Sequence, residues 1–337
     1  MNALEFSFII PVYNRPDEIE ELLLSFNALC SNIPFEIVII EDGSTNDCKS
    51  IIDQFTNDLN ISYYYKKNSG PGDSRNFGMT KANGNYYIIL DSDCLLPPNY
   101  LTIVHSFLSY NFVDCYGGPD AAHSSFNNLQ KAINFAMTSF LTTGGIRGGK
   151  QVNENFQPRS FNMGLSKKAF IDSGGFGSIH PGEDPDLSIR LNDLGYKTVL
   201  IKDALVYHKR RISWKKFYEQ VNKFGMVRPI LNQWHPNTNK LTYWFPTLFI
   251  MGLLVSFIMF FLGIKLPLFA YAFYFTLAFI MALTSTKNVW IAAQSIFAIL
   301  IQFFGYGYGF IKSTIAIRLL KQKPEEVFPK LFFKNVK

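Results

Sequence analysis

Charge is scarce in this sequence: 17% of its 337 residues are Asp, Glu, Lys or Arg, against about 25% in an ordinary soluble domain. With 16% aromatic residues, a disordered chain, which needs high charge and few aromatics, is excluded. Cysteine is scarce too. Cys30, Cys48, Cys94 and Cys115 make no CxxC pair and have no zinc-site spacing, so neither a structural zinc nor a disulfide framework is expected. The Met1 region has no basic segment followed by an apolar signal core, and the N-terminal part is expected in reducing cytosol. Two nucleotide signatures are also missing. There is no G-x-x-x-x-G-K-[ST] and no G-x-G-x-x-G after the first strand-like run, which removes P-loop ATPases and dinucleotide dehydrogenases.

Apolar side chains are abundant, 48% of the chain with 33 Phe. The formal net charge of +6 is unevenly spread. Residues 1–240 are nearly balanced, 241–311 hold only Lys265 and Lys287, and 312–337 hold seven basic residues against two acidic ones. Basicity thus gathers around and after an apolar block, where anionic lipid is the expected attractor and nucleic acid is not. The block resolves into runs at 243–263, 266–285 and 289–311, each near the roughly 20 residues that span a bilayer. Two or three membrane helices are expected. Three spans would carry the basic tail across the membrane, against the positive-inside rule. Gln294, Gln302 and the Gly305, Gly307, Gly309 series in the third run therefore suggest a re-entrant or interfacial portion that leaves the tail cytosolic. Residues 213–231 mix Trp214, Phe217, Tyr218, Val221 and Phe224 with Lys215, Lys216, Lys223 and Arg228, the pattern of an amphipathic helix on an anionic membrane surface. The expected organisation is one α/β domain over 1–210, an interfacial helical segment over 211–240, membrane helices over 241–311 and a basic tail over 312–337.

Within 1–210, the runs FSFIIPV at 6–12, FEIVII at 35–40, ISYYY at 61–65 and YYIIL at 86–90 read as buried strands. Helical spacing lies between them, beginning with 16–29, whose first turns carry Asp17, Glu18, Glu20 and Glu21 where the helix dipole favours acids. Alternating strands and helices with short loops predict a mostly parallel sheet covered on both faces. In such sheets ligands bind outside the carboxyl ends of the strands. The polar clusters fall there: PVYN after the first strand, Glu41 and Asp42 after the second, NSGPGDSRN after the third and DSD after the fourth.

Asp91 and Asp93 flank Ser92 at a strand end, a pair suited to a hard divalent cation that in turn bridges phosphates. Alone, the same DxD also reads as a turn; its position after a buried strand favours the site. Gly70, Pro71, Gly72 and Arg75 give exposed backbone and one fixed cation, as diphosphate binding requires. Glu183, Asp184 and Asp186 lie in HPGEDPDLSIRL and suit a helix N-terminus as well as an acid–base pair.

Six ordered segments, IIPVYNR (9–15), IIEDGSTND (39–47), NSGPGDSRNFGM (68–79), ILDSDC (89–94), FNMGLSKKAF (161–170) and GEDPDLSIRL (182–191), resemble the family 2 glycosyltransferases of the GT-A fold. These are inverting enzymes that use nucleotide-diphosphate sugars. The resemblance covers most of residues 5–225. It implies that Pro11, Tyr13 and Asn14 line the nucleotide pocket, that Asp42 accepts from the base with Glu41 beside it, and that Gly70 and Arg75 meet the nucleotide or its phosphates. Asp91 and Ser92 would then face the ribose and the metal shell, Asp93 would bind Mn²⁺ or Mg²⁺, and His208 would join the metal or diphosphate. Asn162 and Met163 would touch the sugar or acceptor, and Asp184 would be the general base with Glu183 in support.

Processive relatives carry QxxRW, where this chain has Gln220, Val221, Asn222, Lys223 and Phe224. The departure, with the helices placed after the catalytic domain, implies single-sugar transfer from a UDP- or GDP-sugar to a lipid-linked glycan on the cytosolic face of a bacterial inner membrane. A polyprenyl-phosphate monosaccharide synthase and a non-catalytic nucleotide-sugar-binding membrane protein are the alternatives. Sugar, linkage and oligomeric state are left open.

Overall fold

The computed structural model describes residues 3–121, 126–144, 156–209 and 213–333. The chain divides into two compact units: Met1–His123, Lys150–His208 and Phe332–Lys337 in one, Ser124–Gly149 and Lys209–Leu331 in the other.

The first unit begins β1 (Phe6–Val12), α1 (Pro16–Asn27), β2 (Phe35–Asp42), α2 (Lys49–Ile52), β3 (Ile61–Lys66), α3 (Pro71–Lys81), β4 (Tyr86–Leu90), β5 (Cys94–Leu95), α4 (Tyr100–Tyr110), β6 (Cys115–Gly117) and β7 (Asp120–Ala121). After α5 (Asn128–Thr138) and α6 (Phe140–Thr143) of the second unit, it continues with β8 (Asn162–Ser166), α7 (Lys167–Ser173), α8 (Glu183–Asp193), β9 (Thr198–Leu200) and β10 (Val206–His208). Seven strands form one sheet in the order β3-β2-β1-β4-β8-β6-β9, and β5-β10-β7 form a second. β3, β2, β1 and β4 are parallel, while β8 runs antiparallel to both β4 and β6. The four parallel strands are those expected from the sequence.

These strands read as continuous apolar runs because both faces are covered. Phe6, Phe8 and Ile10 point to one core with Ile37, Ile39, Tyr86 and Ile88, while Ile9, Val38, Ile40, Tyr87 and Ile89 point to the other. The chain winds from β1 outward to β3, then returns to place β4 on the far side of β1. That reversal opens a crevice at the carboxyl ends of β1 and β4.

The second unit continues with α9 (Trp214–Trp234), α10 (Phe245–Phe261), α11 (Leu266–Thr286) and α12 (Val289–Thr314). Three helical stretches, Leu241–Phe261, Leu266–Thr286 and Val289–Leu319, are long and apolar enough to cross a membrane, with mean hydropathies of 2.1, 2.0 and 1.6. The third run is helical without interruption through Thr314.

Its glycines have another role. A methyl group on Gly309 would come within 2.3 Å of the Asn222 carbonyl oxygen, one on Gly305 within 2.6 Å of Val221, and one on Gly225 within 2.1 Å of the Tyr306 oxygen. Bare backbone thus lets α9 lie against α12, with the Asn222 amide donating to the Gly305 carbonyl at 2.9 Å. Phe217 and Val221 are buried in the same apolar cluster as Ile299 and Phe303. The apolar side of residues 213–231, expected to meet a lipid surface, packs on α12.

Gly309→Ala and Gly225→Ala should each force the two helices apart and cost about 1–3 kcal/mol. Thermal unfolding in detergent should show lower midpoints for both, while Leu248→Ala, on an exposed face, should leave the midpoint in place.

Candidate active site

Arg75 lies in the second turn of α3, only 3% exposed. Its guanidinium donates to Asp91 Oδ1 at 2.7 Å and to Glu183 Oε1 at 3.0 Å. It also sits 5.3 Å from the ring centre of Phe176. The fork thereby joins the end of β4 to the N-terminus of α8. Glu183 Oε1 meets His180 Nδ1 as well, at 3.0 Å. Burial opposes ionisation of Glu183, but His180 and Arg75 beside it hold its pKa down at about 2. Glu183 Oε2 and Arg75 Nε are buried without a hydrogen-bond partner among the described residues.

Asp184, the next residue, is pushed the other way. Burial raises its pKa above the ordinary aspartate value, and the neighbouring Glu183 charge adds to the rise, while Arg159 opposes it. Arg159 Nη1 stands 3.6 Å from its carboxylate. Two adjacent carboxyls driven apart in pKa are the pattern of a fixed anion beside a proton acceptor.

A second cluster forms where β10 pairs with β5 and β7. The register places His208 opposite Cys94 and Val206 opposite Asp120. His208 Nε2 is 3.1 Å from Asp93 Oδ1, and Nδ1 is 3.9 Å from Asp120 Oδ2. The Phe161 ring stacks on the imidazole at 4.7 Å. Ligand atoms of Asp93, Cys94 and His208 lie within 4.8 Å of one another, a grouping that could hold a metal ion. Burial, with Asp93 adding to it, pushes the Cys94 thiol well up, and its Sγ donates to the Phe161 carbonyl at 3.4 Å. The usable donors are carboxylate oxygen and imidazole nitrogen, a set that fits a divalent cation.

Several expected contacts are revised. Asp91 is absent from the metal grouping, because its carboxylate is turned to Arg75. Asn162 is fully buried, accepting from Tyr100 Oη at 2.6 Å and donating to the Ala204 carbonyl at 2.8 Å. Met163, also 0% exposed, packs in the core. Neither side chain reaches a sugar in this geometry. Glu41, 0% exposed, is occupied by the Ser44 hydroxyl and by the Cys48 N–H and Sγ, both at 2.9 Å; it braces the loop after β2.

The remaining residues line the same strand-end surface. Asp42 accepts from Ser69 N at 3.0 Å, Gly70 N at 2.9 Å and Lys66 Nζ at 2.7 Å, which takes three of its roughly four acceptor sites. Gly70 adopts φ 94°, open to glycine, as it enters α3. Asn14, at φ 53°, accepts from Thr45 N and Asn46 N at 2.9 and 3.0 Å, so it ties the β1 and β2 loops together. Tyr13 is 52% exposed beside it. Pro11 stands next to last in β1, opposite Ile40, and Ser92 is buried in the turn between the two aspartates.

Sequence reasoning missed Arg159, Asp120 and His180. His180 stands three residues before Glu183, a spacing that was available. Asp120 and Arg159 reach the site only through strand pairing and a loop far away in the chain.

The family described as glycosyl transferase family 2 matches residues 7–174. The chain is 41% identical over 106 residues to an uncharacterized glycosyltransferase of Rickettsia bellii, a segment covering 31% of this chain and 15% of that protein. It is 39% identical over 106 residues to the abequosyltransferase RfbV of Salmonella typhimurium, covering 30% of this chain and 32% of the relative. The match thus spans about a third or less of these curated relatives. A solved mannosyltransferase of Pyrobaculum calidifontis, PcManGT, in complex with GDP-Man and Mn²⁺, superposes with a TM-score of 0.58 at 16% identity, over 91% of this chain and 86% of that one, a likeness of fold. With its family motifs gathered at the carboxyl ends of a mostly parallel sheet, the chain belongs to glycosyl transferase family 2 and has the GT-A fold.

Proposed function

We propose that the protein is a membrane-held, metal-dependent, inverting glycosyltransferase. It moves a sugar from a nucleotide-diphosphate sugar, with a UDP-sugar favoured, to a lipid-linked glycan in bacterial surface polysaccharide assembly. The observation that carries this reading is the Glu183–Asp184 pair, tied through Arg75 to Asp91, with Glu183 held low in pKa and Asp184 pushed up.

Tyr13 offers an open ring for the base, and the Asp42-clamped loop at Gly70 offers the edge of the nucleotide pocket. Asp93 and His208, with Asp120 beyond the imidazole, would hold Mn²⁺ or Mg²⁺; imidazole suits Mn²⁺ better than Mg²⁺. The bound cation supplies neutralisation of the leaving diphosphate. Asp184 takes the proton of an acceptor hydroxyl as its oxygen attacks the anomeric carbon. The bond from that carbon to the diphosphate oxygen breaks with its electron pair on the diphosphate, and attack from the opposite face inverts the anomeric centre.

The three apolar helices support a membrane location, where a lipid-borne acceptor is concentrated. The chain leaves the sheet unit after His208 and re-enters it at Phe332. A water-soluble unit lies on one side of a bilayer, so this return supports an even number of crossings, two of the three helices spanning.

Detergent-purified protein, a panel of UDP- and GDP-sugars and a membrane lipid extract test the reading. One donor should be consumed with Mn²⁺ and not with EDTA, and Asp93→Ala should abolish that metal response. Asp184→Asn should lower transfer by about 10²–10⁴-fold. Full transfer by Asp184→Asn would point instead to a phosphate acceptor, which needs no base. The pH profile gives a further outcome. Asp184 works ionised, so kcat/KM should rise with pH along an acid limb above the ordinary aspartate value of 3.8. Arg159→Gln removes a cation that lowers this pKa, so the limb should move to higher pH; an unmoved limb would assign it to another group.

A further inference from the structure

After the helices, the chain returns to the sheet unit and docks on two of its loops. Phe332 pairs antiparallel with Ile179, and the Phe333 N–H donates to the Ser178 carbonyl at 3.0 Å. The Phe333 ring then covers Gly70, where a methyl group would come within 2.4 Å of the ring carbons. On its other side the ring lies 6.1 Å from that of His180. One aromatic side chain therefore touches the loop that opens α3 and the loop that opens α8. The same two loops meet at Gly72, where an added methyl would be 2.8 Å from the Gly177 oxygen, and they are joined inside by Arg75 and Glu183.

We propose that residues 332–333 form a latch in which Phe333 is a positioning residue, holding the nucleotide-side loop and the base-side loop in register for transfer. This rests on the glycosyltransferase reading above. Phe333 fits that role on three counts. It contacts neither Asp184 nor the metal grouping; it is fixed by backbone pairing to 178–179; and the surface it covers is a glycine backbone, which has no side chain of its own to fill the gap. The ring supplies the apolar packing that Gly70 lacks, from a segment distant in sequence. Loss of such packing shifts loops by fractions of an ångström to an ångström, and misplacement of about 1 Å costs about 10²-fold in rate.

Two measurements on the full-length enzyme test this. In a Cys30→Ser background, which removes the exposed thiol, Ile179→Cys with Phe332→Cys places two thiols at directly paired positions. Paired α-carbons about 4.5–5.5 Å apart lie within disulfide reach. Mild oxidation should close the bond, and the bonded enzyme should keep wild-type transfer. Failure to close the bond overturns the docking. A bonded enzyme that is inactive until reduced also overturns the latch, because the segment would then be a plug that must leave.

The second measurement is steady-state kinetics with the donor that the wild-type enzyme consumes. Phe333→Ala should raise donor KM and lower kcat, for a loss of about 10- to 100-fold in kcat/KM, with the metal requirement unchanged. Phe333→Leu and Phe333→Tyr should recover most of it. Wild-type kinetics for Phe333→Ala would overturn the proposal. Disulfide closure is read without turnover, so an enzyme that closes the bond yet consumes no donor would refute the glycosyltransferase reading and leave the docking intact.

Discussion

A guanidinium taken out of water must be matched by charge, and Arg75 is where this protein meets that demand. Stripping an ion of its hydration costs several kcal/mol even after relaxation, and here two carboxylates from different elements answer one buried fork. Asp91 follows a central strand; Glu183 begins a helix 92 residues later. Removing Arg75 would leave the Glu183 carboxylate buried without that cation, at about 3–5 kcal/mol. The bridge therefore constrains the geometry of the strand-end surface as well as its charge. It also sets the chemistry of its neighbour: Glu183 stays ionised, and its fixed negative charge, with burial, keeps Asp184 a better proton acceptor than a solvated aspartate.

The other acids divide their work by burial. Glu41 and Asp42 spend their acceptor capacity on loop N–H groups and hydroxyls, and so convert strand ends into a rigid rim. Asp93 and Asp120 flank His208 at a junction of three short strands, leaving oxygen and nitrogen donors side by side. In the helical unit, where apolar side chains are everywhere, specificity comes from the opposite device. Glycines on α9 and α12 remove side chains so that backbones approach and a half-buried asparagine, Asn222, can bond across.

Much of the sheet was legible because buried parallel strands leave an unmistakable mark: FSFIIPV, FEIVII and YYIIL can hide both faces only inside a covered sheet. The motifs after them identified the working edge. What stayed hidden depended on pairing across long separations. β8, β6 and β9 are short and carry no alternation, and nothing near Asp120 announces that β7 will align it with His208. Asn162 and Met163 looked like site residues because they sit in a family motif; the structure places them inside the strand that supports it. From the sequence, Gly305, Gly307 and Gly309 suggested a re-entrant or interfacial portion. In a packed unit the same residues mark close approach. Phe333 had no signal at all, being one of many aromatics beyond an apolar block.

The most direct test of the account is the steady-state kinetics of Arg75→Lys in the intact enzyme. Lysine keeps the positive charge but is a single ammonium point, unable to hold two carboxylates in one planar fork. If the two-carboxylate bridge positions Glu183 and Asp184, the variant should remain folded, as judged by its detergent unfolding transition, and lose transfer by about 100-fold or more. Wild-type kcat and donor KM in Arg75→Lys would contradict the account, because charge alone would then suffice and the bridge would hold nothing that the reaction needs.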